Sequence, residues 1–311
     1  MVRNYRQERV MGDFMAVIGN QVGLTVDRIV LATDFSLASE SATQYAKMLA
    51  KRFSSNLTLV NVVDLSVATR SEQAVAGYPI DDLRRSSSEN LERLLKDLTL
   101  DRICATAQTL EAHNCAAAIV GLAKQLGADL IVAGTHSRHG LNKAILGSCA
   151  EGILRHASCP VFTVGPKVKT PPNGNIAFNK IVFATDFTSS AAEKAAVALA
   201  FAQDSMATIY LCHVLKNASG DVSETFELQA KFEAELRKLV PQSAFDWCTP
   251  ECMVELGEVA HHILGLARRV GADLIILGAR RSSTWFAHLA EGVVGHVLAN
   301  TECPVMTIGP S

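Results

Sequence analysis

One segment of the sequence has the residue types that bind phosphate groups. Gly134 is followed, just before an apolar helical stretch, by Gly147 and Ser148, and four basic or partly basic residues lie between the glycines: His136, Arg138, His139 and Lys143. Glycine lets the backbone approach a phosphate closely, and a helix N-terminus presents unpaired N–H groups with a partial positive charge. The Ser148 hydroxyl could donate a further hydrogen bond. The segment therefore predicts an anion-binding loop; the less favoured alternative is that Gly134 serves only a tight turn.

Two other short segments could complete a ligand site. Ala32-Thr33-Asp34 ends one apolar run, and Asn61-Val62-Val63-Asp64 ends the next. The Asp34 carboxylate could bind a ribose hydroxyl, and the backbone around Val62 could meet the edge of a base. We expect both segments to meet the Gly134–Ser148 loop, because open parallel sheets bind ligands at the carboxyl ends of their strands. The alternative for Asp34 is a local role, in which it caps the turn into the following helix.

The elements that would position these residues occur twice in the chain. Three segments of the first half recur in the second: RIVLATDFS at Arg28–Ser36 as KIVFATDFT at Lys180–Thr188, GLAKQLGADLIVAG at Gly121–Gly134 as GLARRVGADLIILG at Gly265–Gly278, and SCPVFTVGP at Ser158–Pro166 as ECPVMTIGP at Glu302–Pro310. This self-similarity indicates a duplicated structural unit. We predict an N-terminal extension over 1–25, a first unit over 26–166, a linker over 167–178 rich in Pro, Gly and Asn, and a second unit over 179–311.

Each unit alternates short β-branched runs with helical stretches. In the first unit we predict strands at Arg28–Thr33, Asn56–Val63, Ala105–Leu110, Ala128–Gly134 and Pro160–Gly165, and helices at Ala38–Phe53, Ser86–Leu98, Ala116–Leu126 and Ser148–His156. Ser36 and Ser148 are candidate N-caps. Continuous apolar runs such as LIVA indicate strands that are covered on both faces. The predicted fold class is α/β, with two tandem doubly wound parallel-sheet domains of about five strands each, Rossmann-like or flavodoxin-like.

The last strand of each unit carries a prediction about how the units pack. The segments PVFTV and PVMTI are apolar and end their sheets. Exposed edges of this kind invite aggregation and need covering. We therefore expect the two strands to lie close together, with the units related by a pseudo-twofold axis.

Composition excludes several classes of protein. The 311 residues are 49% hydrophobic and 19% charged, and the formal net charge of −2 gives no general attraction to nucleic acid or anionic lipid. No apolar run is long enough to cross a bilayer and the N-terminus lacks a signal-peptide pattern, so we expect a cytoplasmic protein. The eight cysteines do not suggest a disulfide framework, and most should behave as small buried hydrophobes. Cys248 and Cys252, with His261 and His262, do not have a common zinc-site spacing.

The loop spacing, the aspartate after the first strand and the closing Cys-Pro strand resemble those of the universal stress protein family. Two such domains would cover Val26 to Pro310. Nucleotide-binding members carry Gly, two residues, Gly, nine residues and then Gly-Ser or Gly-Thr; Ser137 stands at the second glycine position here. The resemblance implies adenine and ribose contacts from Thr33, Asp34 and the Val62 backbone, with the pocket lined by Ala133, Cys149 and Ala150. Our predicted nucleotide-binding residues are Ala32, Thr33, Asp34, Val62, Ala133, Gly134, Ser137, Arg138, Gly147, Ser148, Cys149 and Ala150.

The second unit departs further from that signature. Asp186 and Gly278 remain, but Arg281 stands at the second glycine position, Glu291 at the third, and Gly292 at the serine position. A carboxylate at the mouth of the phosphate-binding helix would repel a phosphate. We therefore predict one adenine nucleotide per chain, bound in the first unit, and a degenerate site in the second.

The function that we favour is a stress-response protein that binds ATP or ADP, with or without Mg²⁺, and acts through ligand-dependent conformation or association. Two alternatives stay open: a slow ATP hydrolase that uses Asp34 and the Gly134–Ser148 loop, and a protein without nucleotide that works through a dimer surface. No Gly-Lys pair and hence no Walker loop occurs, and no nucleophile with its base is evident, so any ATPase activity should be weak. The expected partners are an adenine nucleotide and a second copy of the chain, as a homodimer or other self-association, but neither nucleic acid nor membrane.

Overall fold

A single ten-stranded sheet runs through both halves of the chain. The computed structural model describes residues 15–18, 21–65, 80–135, 146–168, 176–187, 190–216, 222–278 and 292–309. A two-stranded antiparallel hairpin, β1 (Met15–Ile18) and β2 (Gln21–Leu24), precedes the sheet, and β2 packs against a helix of the second half. In the described part of the chain, no helix has the length and apolar character that a membrane span requires.

The first half alternates strands and helices as the sequence predicts. Its elements are β3 (Arg28–Ala32), α1 (Leu37–Phe53), β4 (Asn56–Asp64), α2 (Ile80–Leu100), β5 (Ala105–Ala112), α3 (Cys115–Leu126), β6 (Leu130–Gly134), α4 (Ser148–His156) and β7 (Val161–Val164). Ser36 is the N-cap of α1 and accepts a hydrogen bond from the Ser39 amide, as predicted. Helix α2 begins earlier than predicted because Arg84 and Arg85 pair with acidic residues of its exposed first turn.

The second half repeats this order. Its elements are β8 (Lys180–Thr185), α5 (Ala191–Ser205), β9 (Thr208–Leu215), α6 (Val222–Lys238), a 3₁₀ helix (Gln242–Asp246), β10 (Thr249–Leu256), α7 (Val259–Val270), β11 (Leu274–Gly278), α8 (Val293–Asn300) and β12 (Val305–Ile308). The hairpin strand β2 packs against α5, so the segment before the first unit reaches the second.

The strand order confirms an α/β doubly wound fold. The sheet reads β10-β9-β8-β11-β12-β7-β6-β3-β4-β5, and every neighbouring pair is parallel except β7 and β12, which are antiparallel. Within each half the order is that of a mononucleotide-binding Rossmann unit rather than the flavodoxin order. The order reverses between β3 and β6 in the first half, and this is where a ligand crevice is expected.

The two halves meet where β7 pairs with β12, as the sequence predicts. Phe162 lies opposite Met306 in the register, and both side chains are completely buried. The Thr163 hydroxyl donates to the Val305 carbonyl over 2.9 Å, and the equivalent Thr307 hydroxyl returns the bond to β7 over 3.4 Å. This reciprocity places a pseudo-twofold axis through the Phe162–Met306 pair.

An aromatic cluster continues the junction on one face of the sheet. Tyr45 and Phe162 of the first half lie with ring centroids 5.5 Å apart, and Phe178 lies 5.3 Å from Phe201 of the second half. Phe178, at the end of the predicted linker, also contacts Phe162 at 6.1 Å. Burial raises the pKa of Tyr45 to about 12, so its hydroxyl stays protonated in this environment. The halves therefore share the hydrophobic core on this face of the sheet.

Candidate functional site

The cavity of the first half lies at the carboxyl ends of β3, β4 and β6. Its volume of about 480 Å³ is in the range of small-molecule sites, roughly 300–1,000 Å³. The predicted site residues that line this cavity are Ala32, Asp34, Val62, Ala133, Gly134, Gly147, Ser148, Cys149 and Ala150. Thr33 is buried beside the cavity and is not part of its lining. Ser137 and Arg138 lie outside the described residues.

Asp34 has the local role that the sequence left open, and it also faces the cavity. Its Oδ1 atom accepts hydrogen bonds from the Ser36 amide at 3.1 Å, from the Ser36 hydroxyl at 2.6 Å and from the Ser39 hydroxyl. These bonds hold the turn from β3 into α1. Phe35, within this turn, takes a left-handed backbone conformation with φ of 60°, and so does the equivalent Phe187 in the second half, with φ of 54°.

Asn61 contributes its side chain to the cavity, whereas the sequence pattern predicted only a backbone contact around Val62. Its side-chain amide donates to the Thr33 carbonyl over 2.8 Å, and its carbonyl accepts from the Ser87 hydroxyl at 2.7 Å. Ser87 lies 3.0 Å from the Thr109 hydroxyl. Asn61 thus connects β3, β4 and α2 around the part of the cavity nearest Val62. A polar residue inside the apolar run LVNVV was the signal available in the sequence.

The opposite end of the cavity is formed by the N-terminus of α4. Gly147 is the N-cap, with φ of −63° and ψ of 143°, and Ser148 is the first helical residue. The prediction that Ser148 is the N-cap is therefore wrong. A glycine N-cap has no side chain to accept from the first-turn amides, and no other side chain among the described residues caps them. Ser148 is exposed, so its hydroxyl and these amides can meet an anion.

Charge is distributed unevenly around the cavity. Asp34 and Asp64 contribute carboxylates near the ends of β3 and β4, while the α4 N-terminus contributes partial positive charge. The basic residues of the loop, His136, Arg138, His139 and Lys143, lie outside the described residues. Among the residues that are described, no cluster of three or more His, Cys, Asp or Glu side chains could hold a metal ion.

Gly134 allows β6 to end against the first turn of α1. A Cβ atom at this position would lie 2.9 Å from the backbone carbon and oxygen of Ala38 and 3.1 Å from the Ser39 nitrogen. Backbone atoms in this turn cannot move aside as the end of a side chain could. The glycine is therefore required by close packing that brings Asp34 and α4 to the same cavity, besides any approach to a ligand.

The cavity also contains a disulfide bond. Cys115, the first residue of α3, is bonded to Cys149 in the first turn of α4, with their Cα atoms 5.6 Å apart. We expected most cysteines to behave as small buried hydrophobes, and the bonded pair does not. The expectation is confirmed for Cys212, Cys248 and Cys303, which are buried. The bonded pair lies about 34 residues apart in sequence, and its proximity depends on the packing of two helices that sequence spacing does not show.

In the second half, aromatic side chains occupy the region that corresponds to the Asn61 end of the cavity. His213, at the position equivalent to Asn61, has Nδ1 2.8 Å from the Thr185 carbonyl oxygen. Its ring stacks on Phe232 of α6 at 4.7 Å and meets Phe187 edge-on at 4.8 Å. Burial lowers the pKa of His213, against the opposing effects of the Thr185 carbonyl and Asp186. Arg281 and Glu291 lie outside the described residues.

Comparison with known proteins identifies the relatives of this chain. Residues 25–165 and 177–309 each match the family model described as the universal stress protein family. A Staphylococcus haemolyticus protein assigned to that family is 33% identical over 159 residues, which are 48% of this chain and 95% of the relative. The crystal structure of a universal stress protein from Archaeoglobus fulgidus covers 92% of this chain and 97% of its own, at 17% identity and a TM-score of 0.69. At that identity, the structural match supports the shared fold alone.

Replacing Gly134 by alanine should destabilise the protein. The added Cβ overpacks the contact with Ala38, and we expect the free energy of unfolding to fall by about 1–3 kcal/mol in urea denaturation. Gly121→Ala is the matched control, because a Cβ at Gly121 on α3 meets nothing within 4 Å; it should raise stability by up to about 1 kcal/mol. Equal effects of the two substitutions would contradict the packing role of Gly134.

The stability of the protein should depend on His213 below neutral pH. Because folding lowers the pKa of His213, the neutral form of this side chain contributes to the stability of the fold. The contribution is complete above about pH 6.5, the ordinary pKa of histidine, and it is lost as the pH falls further. Between pH 7.5 and 5.5 the wild-type free energy of unfolding should fall more than that of His213→Asn. The difference should stay below the one-proton limit of about 1.4 kcal/mol per pH unit. Parallel pH profiles in urea denaturation would show that His213 is not responsible.

Proposed function

The chain belongs to the universal stress protein family, and we propose that it binds one adenine nucleotide, ATP or ADP, in the cavity of its first half. The observation that carries this proposal is the α4 N-terminus, which opens into a cavity of about 480 Å³ without a side-chain cap from the described residues. Family membership supports a role in the stress response. We propose that bound nucleotide acts in this response by changing the conformation of the protein or its association with partners.

The geometry suggests how a nucleotide would lie. The phosphates would meet the first-turn amides of α4 and the Ser148 hydroxyl, where a helix N-terminus favours negative charge. The ribose would lie towards Asp34, and the base would lie against the ends of β4, near the Val62 backbone and Asn61. Ser137 and Arg138 stay predicted phosphate contacts. A Mg²⁺ ion could accompany the phosphates, which would neutralise part of their charge.

Features of the second half support the proposal that only the first half binds nucleotide. The stacked rings of Phe187, His213 and Phe232 occupy the region that corresponds to the Asn61 end of the first cavity. The sequence adds Glu291 at the position equivalent to Gly147. Either feature disfavours a nucleotide, one by occupying the space for the base and the other by its charge. We propose that this half has a structural role.

Association and location complete the proposal. Strands β5 and β10 form the two ends of the sheet and are candidate surfaces for self-association, including a homodimer. Family membership supports a cytoplasmic location. The interaction-only alternative predicts self-association that does not respond to ATP, whereas the proposal predicts that ATP shifts it. Sedimentation velocity with and without ATP distinguishes the two.

Calorimetric titration of the intact chain with ATP should give one site. Gly147→Glu should weaken binding by about ten- to thousandfold, because a carboxylate within 4–6 Å of a phosphate costs about 1–4 kcal/mol at effective dielectric constants between those of water and protein. Gly147 has an ordinary backbone conformation, so the substitution should leave the fold intact. Circular dichroism provides that check.

Gly292→Glu is the matched control for this titration. It also places a carboxylate at a glycine N-cap, that of α8, but in the half that we propose does not bind. ATP affinity should remain within about twofold of wild type. Two equivalent sites per chain, or loss of binding in the control but not in Gly147→Glu, would show that the nucleotide site has been assigned to the wrong half.

Any hydrolysis of ATP should be slow. The Asp34 Oδ1 atom is occupied by hydrogen bonds from Ser36 and Ser39, which suits a positioning role better than that of a general base. We expect steady-state turnover well below the usual enzyme range of about 1–10³ per second. Turnover within that range, abolished by Asp34→Ala while ATP binding persists, would favour the hydrolase alternative.

A further inference from the structure

The disulfide between Cys115 and Cys149 lies in the cavity wall rather than in the core. Both cysteines are partly exposed and line the cavity, one from the first turn of α3 and the other from the first turn of α4. The bond joins the helix that would bind phosphate to its neighbour. A small thiol reagent can reach it through the same opening as a nucleotide.

The second half shows that the fold does not need this bond. Val259 and Val293 stand at the equivalent positions of α7 and α8, where both are buried and the two helices pack together by apolar contact. Valines achieve by packing what the cysteines achieve covalently. The cysteine pair therefore occurs in the half that has the cavity, and valines replace it in the other half.

The chemistry of the two positions favours thiol–disulfide exchange. A thiolate released at either residue would lie at a helix N-terminus, where partial positive charge stabilises it as a leaving group and as a nucleophile. The core cysteines are poor competitors, since burial raises the pKa of Cys212 to about 12 and that of Cys303 to about 11. In reducing compartments, disulfides are usually transient and redox-sensing.

We propose that Cys115 and Cys149 form a redox switch that acts on the nucleotide cavity, with a dithiol as the reductant. The dithiol breaks the S–S bond by exchange, supplies two electrons and two protons to leave two protein thiols, and closes to its own disulfide. The proposal rests on nucleotide binding in this cavity. The disulfide form binds nucleotide more tightly, and the dithiol form binds it more weakly.

The position of Cys149 explains why the disulfide form binds nucleotide more tightly than the dithiol form. Its backbone amide belongs to the first turn of α4, next to Ser148, so the bond fixes the amides that would meet phosphate. After reduction the two sulfurs separate to non-bonded contact and this turn loses its covalent restraint. Ordering it again on binding weakens the affinity by about three- to tenfold, the equivalent of restraining one side chain.

The test uses the full-length protein, equilibrated in oxidised or reduced dithiothreitol. Peptide mapping after alkylation should find Cys115 linked to Cys149 under oxidising conditions and both alkylated under reducing conditions. ATP titration should give a dissociation constant three- to tenfold higher in the reduced protein. Absence of the linked peptide, or equal affinities in the two states, would overturn the switch.

Two variants separate the switch from other thiol effects. The double substitution Cys115→Val and Cys149→Val installs the residues of the second half and should make ATP affinity independent of redox conditions. Cys104→Ser removes an exposed cysteine outside the cavity and should keep the full response. A redox response that survives the double substitution, or disappears with Cys104→Ser, would overturn the assignment.

Amide hydrogen exchange without nucleotide tests the switch independently of the proposed function. Reduction should accelerate exchange in a peptide that contains residues 148–150, and the valine double variant should show no such change. If exchange accelerates on reduction but neither redox state binds ATP, the nucleotide function is contradicted and the switch is not. Unchanged exchange on reduction would contradict the switch, whether or not ATP binds.

Discussion

Antiparallel pairing of β7 with β12 removes an unpaired edge from each half and turns two five-stranded sheets into one. Phe162 and Met306 meet at the centre of this pairing, where no water reaches them. Because the strands of one half run opposite to those of the other, the carboxyl ends of the first set lie beside the amino ends of the second set. The strand ends at which a ligand could bind are therefore separate in the two halves, and the cavity of the first half is lined by residues of that half alone.

The residues beside the pseudo-twofold axis make the pairing of unlike halves specific. Arg52 at the end of α1 and Asp204 at the end of α5 occupy equivalent positions, and they form an ion pair with each other. If two identical halves met through this surface, arginine would face arginine or aspartate would face aspartate. A partly exposed pair contributes little to stability, about 0–1 kcal/mol, so its main consequence is to disfavour the wrong pairing.

The sequence predicts the architecture because apolar runs and the internal repeat report directly on buried strands and their order. It also predicts where the cavity lies, since the position of strand ends follows from topology. It does not predict features that depend on side chains from separate elements, such as the link of Asn61 to Ser87 or the stacking of His213 on Phe232. The Cys115–Cys149 bond belongs to the same class, because only the packing of α3 on α4 brings the two residues together.

A single unit would have to supply both the packing of the sheet and a ligand site. Duplication allows these two requirements to be met by different halves. The sheet needs β12 as well as β7, so the second half is retained by packing whether or not it binds a ligand. Its residues can then change: His213 takes the place of Asn61 and stacks on Phe232, and Val259 and Val293 take the place of the cysteine pair. The first half keeps an open cavity with polar and redox-active walls. Stability thus resides in what the halves share, and ligand chemistry resides in the positions where they differ.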